Sequence, residues 1–367
     1  MSFKEFIKEH IIKLYSNKEY LTREIYINIY SKVYDFCTAK VDFKSNITQF
    51  KKNLYGSRLE FYNFVTKSIE EICDSISYKL LNSNDIIELY NKQYKNFLIC
   101  SKILDNILEY FNRVFITEGG NENFMIILSK CKNIWLTNVI EKVNGKLNHK
   151  ILSTIQNERD NHYSSDLYPI KKLLESFNEL HLNVINNDYK ELDLSFDDTD
   201  SIYKKYFEER YLKFSEEYYN FICSKNSIEE YIDTSCEHIS FEEEICNNFL
   251  NKCTYNKIKS CCIKNFICNN DNFIYEELVK SLTFEKNIIS EKIYDFYYKY
   301  CKDTVLKDEN SIIALAFIKY CTMYLDSNLK NILTNKETDF KTFIRSIVEC
   351  YNLFLNKTKL FKDNKII

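Results

Sequence analysis

The chain has 367 residues, with 50 basic and 53 acidic side chains well mixed and a formal charge of −3, so no surface of one sign advertises nucleic acid or anionic lipid. One Pro and four Gly (Gly56, Gly119, Gly120, Gly145) are too few for the tight turns of a β-sandwich or a doubly wound sheet of this length. The amino-terminal MSFKEFIKEH is charged, and no run of about 18 uncharged apolar residues follows, which excludes a signal peptide and a membrane span from the reading.

An all-α chain is therefore expected, soluble and not secreted, and long enough for two or three compact units. The abundant Ile, Tyr, Phe, Asn and Lys would favour strands by propensity, but an AT-rich genome imposes these residues on any fold. Periodicity is the better guide.

The first clear helix covers residues 24–39. At 100° per residue Ile25, Ile29, Val33 and Phe36 fall on one face, an ordinary core stripe, while Tyr26, Tyr30 and Tyr34 form a second stripe beside it, with Ile27 next to Tyr34. A helix whose core is served by one face has something left to bury on the other. From Asp85 the spacing of Ile87, Tyr90, Tyr94, Phe97, Ser101, Leu104, Leu108 and Phe111 predicts a single helix of about 30 residues. Gly119-Gly120 follows in a polar GGNEN loop. Ser227-Ile-Glu-Glu230 has the form of a capping box, so a helix should run through Tyr231 towards Asn247 with Ile232, Cys236, Ile239 and Glu243 on neighbouring turns. Its acidic outer face needs no function.

Fourteen cysteines in a chain without a signal peptide belong to a reducing compartment. Cys236, His238, Cys246, Cys253, Cys261, Cys262 and Cys268 are the densest group. They include no Cys-x-x-Cys knuckle, and buried structural thiols are expected rather than zinc. The five histidines (His10, His149, His162, His181, His238) have no metalloprotease spacing, and no Gly-rich phosphate loop is present. Glu208-Glu209 and Glu242-Glu243-Glu244 read as solvated helix faces. No catalytic residue, metal site or cofactor is assigned, and the chain is expected not to be an enzyme.

The long helix ends in Tyr110-Phe-Asn-Arg113, and it is similar to a cullin segment in which an aromatic-rich helix ends in Tyr-x-Asn/Asp-Arg. YINIYSKVYDFCTA, residues 26–39, resembles the second helix of the first cullin repeat, closest to the branch that binds SKP-family adaptors. Trp135 leading into LNHKILSTIQNERDNH, and then YKKYFEERYLKFSEEYYNFICSKNSIEEYI, follow in the family's order. The resemblance is strongest from Glu24 to Asn248 and faint after about Thr254. It implies an elongated rod of stacked five-helix repeats, here residues 1–160 (adaptor-binding), 161–275 and a partial, divergent third over 276–367. Within the third, TDFKTFIRSIVECYNLF looks like a repeat helix. No counterpart of the family's RING-binding half is found.

The resemblance also gives the tyrosine stripe a use. Tyr is common here, 29 of 367, so composition alone can put three on a face. Tyr26, Ile27, Tyr30 and Tyr34, with Tyr110 on the long helix, nevertheless match the positions where cullins meet adaptors. Tyr supplies large rigid area with a polar tip. Arg113 is read as a structural ion pair or helix-end contact.

The implied partner is an SKP-type adaptor with its F-box protein, alternatively a BTB or elongin-type adaptor. No RING subunit is expected, and the location is cytoplasmic, nuclear or both, in a host cell if the source is viral. The leading expectation is a decoy that withholds adaptors from host cullin-RING ubiquitin ligases. The alternatives are a scaffold that redirects adaptors through residues 276–367, and a helical structural protein that keeps only the fold.

Overall fold

The computed structural model describes residues 2–38, 47–118, 124–161, 167–185, 201–222, 227–284 and 287–301, with isolated helical positions between 315 and 348. All regular structure among them is helical. In chain order the helices are α1 (Phe3–Ser16), α2 (Arg23–Thr38), α3 (Ile47–Leu81), α4 (Ile86–Ile107), α5 (Glu109–Phe111), α6 (Ile127–Trp135), α7 (Glu141–Asn161), α8 (Tyr168–Ile185), α9 (Glu209–Ile222), α10 (Ile228–Asn248), α11 (Lys252–Phe266), α12 (Asp271–Thr283) and α13 (Asn287–Cys301). Wider π-helical turns cover Asn112–Thr117, Leu136–Ile140 and Lys204–Glu208. The chain divides into two compact units, Met1–Tyr211 and Leu212–Ile367. The GGNEN loop, His162 and most of the segment 338–354 lie outside the described residues.

In the first unit α1 opens on a complete capping box. Ser2 Oγ accepts the Glu5 N–H at 3.3 Å, and Glu5 Oε2 accepts the Ser2 N–H at 2.8 Å, which satisfies two otherwise orphaned donors. Phe6, Ile7, Ile11 and Leu14 are buried as α1 packs on α3 and α4. For α2, Thr22 Oγ1 accepts the Ile25 N–H at 3.3 Å. At the other end Arg58 Nη2, from α3, donates to the Cys37 carbonyl at 2.8 Å.

The core stripe of α2 differs from the expected one. Ile29, Val33 and Cys37 are buried, whereas Ile25 and Phe36 are half-buried. The stripe follows steps of four because α2 meets α4 and α5 along one row, and Phe36 instead stacks on Phe3 at 4.7 Å.

Every residue of the expected stripe on the long helix, Ile87, Tyr90, Tyr94, Phe97, Ser101, Leu104, Leu108 and Phe111, is buried. The helix is not one unbroken element, however. Leu108 takes φ −96° and ψ 9°, so regular α winding stops there, and the chain continues as α5 and the π-helical turn. Below it, Trp135 is fully buried with its ring 4.6 Å from Phe97 and 5.5 Å from Tyr94. Trp135 Nε1 donates to the Tyr90 hydroxyl at 3.3 Å, and that hydroxyl lies 2.9 Å from Ser176 Oγ. One polar chain thus ties α4, α6 and α8 inside an apolar core, where an unpaired indole N–H would be costly.

In the second unit α10 packs on α11 and α13, and α12 on α13. Of the two bonds of the expected capping box, the structure has the one from the Glu230 N–H to Ser227 Oγ, at 3.2 Å. Ile232 and Ile239 are buried, Cys236 is half-buried and Glu243 is exposed. Glu242 is buried and accepts from Tyr219, and Glu208 of the first unit is buried as well, so neither lies on the solvated face expected of it; Tyr231 donates to the Phe266 carbonyl. Ser281 and Ser290 join α12 to α13 at 2.9 Å.

Burial of the cysteines is less uniform than expected. Cys246 and Cys262 are buried, Cys236, Cys253 and Cys261 half-buried and Cys268 exposed, all as free thiols. Among the described residues no three His, Cys, Asp or Glu side chains are grouped to hold a metal.

A candidate interface of aromatic side chains on two helices

The tyrosines singled out in the sequence lie on α2 and α5, which pack against each other. Tyr26 and Tyr30, one turn apart, stack with ring centroids 6.4 Å apart and planes 10° from parallel. One turn further, Tyr34 meets Tyr110 of α5 at 4.6 Å. Tyr26, Tyr30 and Tyr110 are half-buried, while Ile27 is 51% and Tyr34 43% exposed. The five residues therefore combine exposed apolar area with rings already braced by neighbours.

What fixes the two helices is an aromatic cluster inside the unit. Phe36, two residues after Tyr34, packs on Phe61 of α3 at 5.1 Å, and Phe61 packs edge-on against Phe111 at 5.0 Å. Phe111 in turn stacks on Phe115 at 5.3 Å. Tyr34 thus lies two residues, and Tyr110 one residue, before a ring anchored to Phe61. Aromatic pairs of this geometry contribute about 0.5–1.5 kcal/mol each beyond burial.

Charge frames the rings. The Arg113 guanidinium sits 4.7 Å from the centre of the Tyr110 ring, within cation–π range, and its Nε is 3.7 Å from Glu118. Of the two alternatives expected for Arg113, a structural ion pair or a helix-end contact, the structure has an ion pair, solvent-exposed at 3.7 Å, and the ring contact is additional. Partial burial pushes the Tyr26 hydroxyl above its ordinary pKa, with Tyr30 and Glu109 adding to the shift. Tyr26 therefore stays a neutral donor and acceptor at neutral pH.

Three features of the site went unread in the sequence. One is the Phe3–Phe36–Phe61 packing beneath it. Another is the place of Glu109 beside Tyr26. The last is a pair of polar side chains, Asp105 and Asn112, which hydrogen-bond to each other across the turn that carries Tyr110. Asn112 stood within the quoted Tyr110-Phe-Asn-Arg113, so a signal was there. Asp105 gave none, because one of its partners, the Leu128 N–H, comes from a helix beyond the next loop and the other, Asn112, is seven residues away, outside the three- and four-residue spacing at which side chains on a helix meet.

The described regular structure thus consists of packed helices, with aromatic side chains of α2 and α5 gathered where those two helices meet. The model of the cullin α-solenoid domain matches residues 4–365, and the chain belongs to the cullin family. Among curated relatives, Cullin-1 of Caenorhabditis elegans is 22% identical over 284 residues, 70% of this chain and 35% of the relative. Cell division control protein 53 of Saccharomyces cerevisiae is 21% identical over 377 residues, 94% of this chain and 44% of the relative. Cullin-5 of Dictyostelium discoideum is 24% identical over 352 residues, 92% and 42% respectively. The chain spans less than half the length of these relatives. No described helix is long and apolar enough to cross a membrane.

Proposed function

We propose that this chain is a cullin-type arm that captures an SKP-type adaptor with its F-box protein through Tyr26, Ile27, Tyr30, Tyr34 and Tyr110. The observation that carries the reading is the 4.6 Å contact between Tyr34 and Tyr110, which joins an exposed ring on one helix to a half-buried ring on another in a member of the cullin family. Partly exposed aromatics clustered on a rigid base are what interface hot spots are made of. The finer step is competition: a polypeptide of residues 1–367 that holds the adaptor withholds it from other cullins by mass action.

A panel of purified partners tests this. The immobilised chain is offered an SKP–F-box complex, a BTB protein and an elongin-type complex, with Tyr26→Ala/Tyr30→Ala as control. Retention of the SKP complex alone, lost in the control, supports the proposal. Retention of one of the other two moves the reading to that adaptor class, and retention of none by a folded chain overturns it.

A further inference from the structure

The helix break at Leu108 needs something to hold it, since a π-helical turn winds less favourably than the α-helix and tends to occur where function requires it. Three hydrogen bonds do so. Asp105 Oδ1 accepts both the Asn112 Nδ2–H, at 2.9 Å, and the Leu128 backbone N–H, at 2.9 Å. Asn112 Oδ1 accepts the Ile127 backbone N–H at 3.2 Å. The residue preceding α6, Ile126, offers no side-chain cap of its own. The first amides of α6 are therefore capped from outside, by residues on either side of the break.

We infer that Asp105 and Asn112 are positioning residues for the aromatic face: their clasp on the start of α6 fixes the turn that delivers Tyr110 to Tyr34. The inference rests on the proposed adaptor-binding role for its binding readout alone. Between Asp105 and Asn112 the chain makes the Leu108 turn and then α5, with Tyr110 two residues before Asn112. With the clasp closed, Phe111 faces Phe61 and Tyr110 faces Tyr34. Relaxation of residues 105–117 towards continuous α winding shifts each later side chain around the axis, which takes Tyr110 out of register with Tyr34.

The chemistry of the clasp supplies isosteric tests. Both bonds to Asp105 fall on one oxygen, so Asp105→Asn keeps them through its amide oxygen, whereas Asp105→Ala loses both. Asn112→Asp keeps an acceptor for Ile127 but sets a second carboxylate oxygen against Asp105 Oδ1, where a donor is needed. Two readouts are taken. In the free chain, 3-fluorotyrosine placed at position 110 alone reports the Tyr34 contact, because Tyr34→Ala moves its fluorine resonance. In the complex, titration with an SKP–F-box pair reports affinity.

Asp105→Asn is expected to match the wild type in both. Asn112→Asp and Asp105→Ala are expected to show the moved resonance, with no further change on adding Tyr34→Ala, fast amide exchange at Ile127 and Leu128, and affinity lower by about tenfold. Unmoved resonance and undiminished affinity, together with fast exchange at Ile127 and Leu128, would overturn the inference. If Asn112→Asp does not fold, the Asp105→Asn and Asp105→Ala pair decides. If the wild type binds no adaptor, the adaptor reading fails, and the fluorine signal alone decides whether the clasp positions Tyr110.

Discussion

Tyr110 is held from two sides, by Tyr34 against its ring and by Arg113 over it. These contacts differ in worth. Arg113 and Glu118 are both more than half exposed and 3.7 Å apart, so solvent screens their attraction. Arg113→Ala is expected to lower stability by less than about 1 kcal/mol in urea titration. A loss several times larger would show that the guanidinium has a structural role the contacts do not contain. Asp105 is a different case, since burial holds its pKa above the ordinary aspartate value against the hydrogen bonds from Leu128 and Asn112, and Glu109 adds to the rise. An acid whose folded pKa is raised binds its proton more tightly in the folded chain. Its contribution to stability is therefore fullest below the unfolded pKa and is lost as pH rises through the folded value. Denaturant titrations of the wild type and Asp105→Asn from pH 3 to pH 6 should show the variant gaining on the wild type as pH rises. A constant difference would mean that Asp105 titrates alike in both states. Asp74 has the opposite sign. Hydrogen bonds from Lys142 and Asn138 lower its pKa, so its contribution is present above the unfolded value and fades as pH falls.

Among the helices, α4 carries the heaviest structural duty, because its buried face meets α6 and α8 through Trp135 and Tyr90. Trp135→Ala removes a fully buried indole and leaves the Tyr90 hydroxyl without its donor. A loss of about 3–5 kcal/mol is expected, read as a lower urea midpoint at unchanged slope. A loss under about 1 kcal/mol would mean that the surrounding helices collapse into the space. The buried face of α4 was legible in the sequence because aromatic and aliphatic residues recur there at steps of three and four. The break at Leu108 was not. Leu is a good helix former, the periodicity runs straight through it, and the cause is tertiary, the clasp of Asp105 and Asn112 on amides of α6. The α2 stripe was misplaced for a related reason. Phe36 satisfies the wheel but is drawn to Phe3 of α1, a neighbour that the local pattern does not contain.

For the molecule as a whole, the helical class and the cullin kinship were readable from scarce Gly and Pro, mixed charge and four segments in family order. The Tyr34–Tyr110 meeting was not readable from spacing, since α3 and α4 intervene between its partners. Only the resemblance placed both on one face. If the face captures an adaptor, the purified chain added in excess to an SKP–F-box complex should displace a full cullin and slow substrate ubiquitination in proportion to adaptor bound. Unchanged ubiquitination with the adaptor fully bound would rule out competition as its mode of action.

The most direct measurement is a calorimetric titration of an SKP–F-box complex into the wild type and into Tyr34→Ala/Tyr110→Ala, with thermal melts alongside. Truncated hot-spot aromatics typically cost about 2 kcal/mol or more each, so the variant should melt near the wild type and bind more than about tenfold more weakly. Equal affinity in a folded variant would contradict the assignment of this face to adaptor capture.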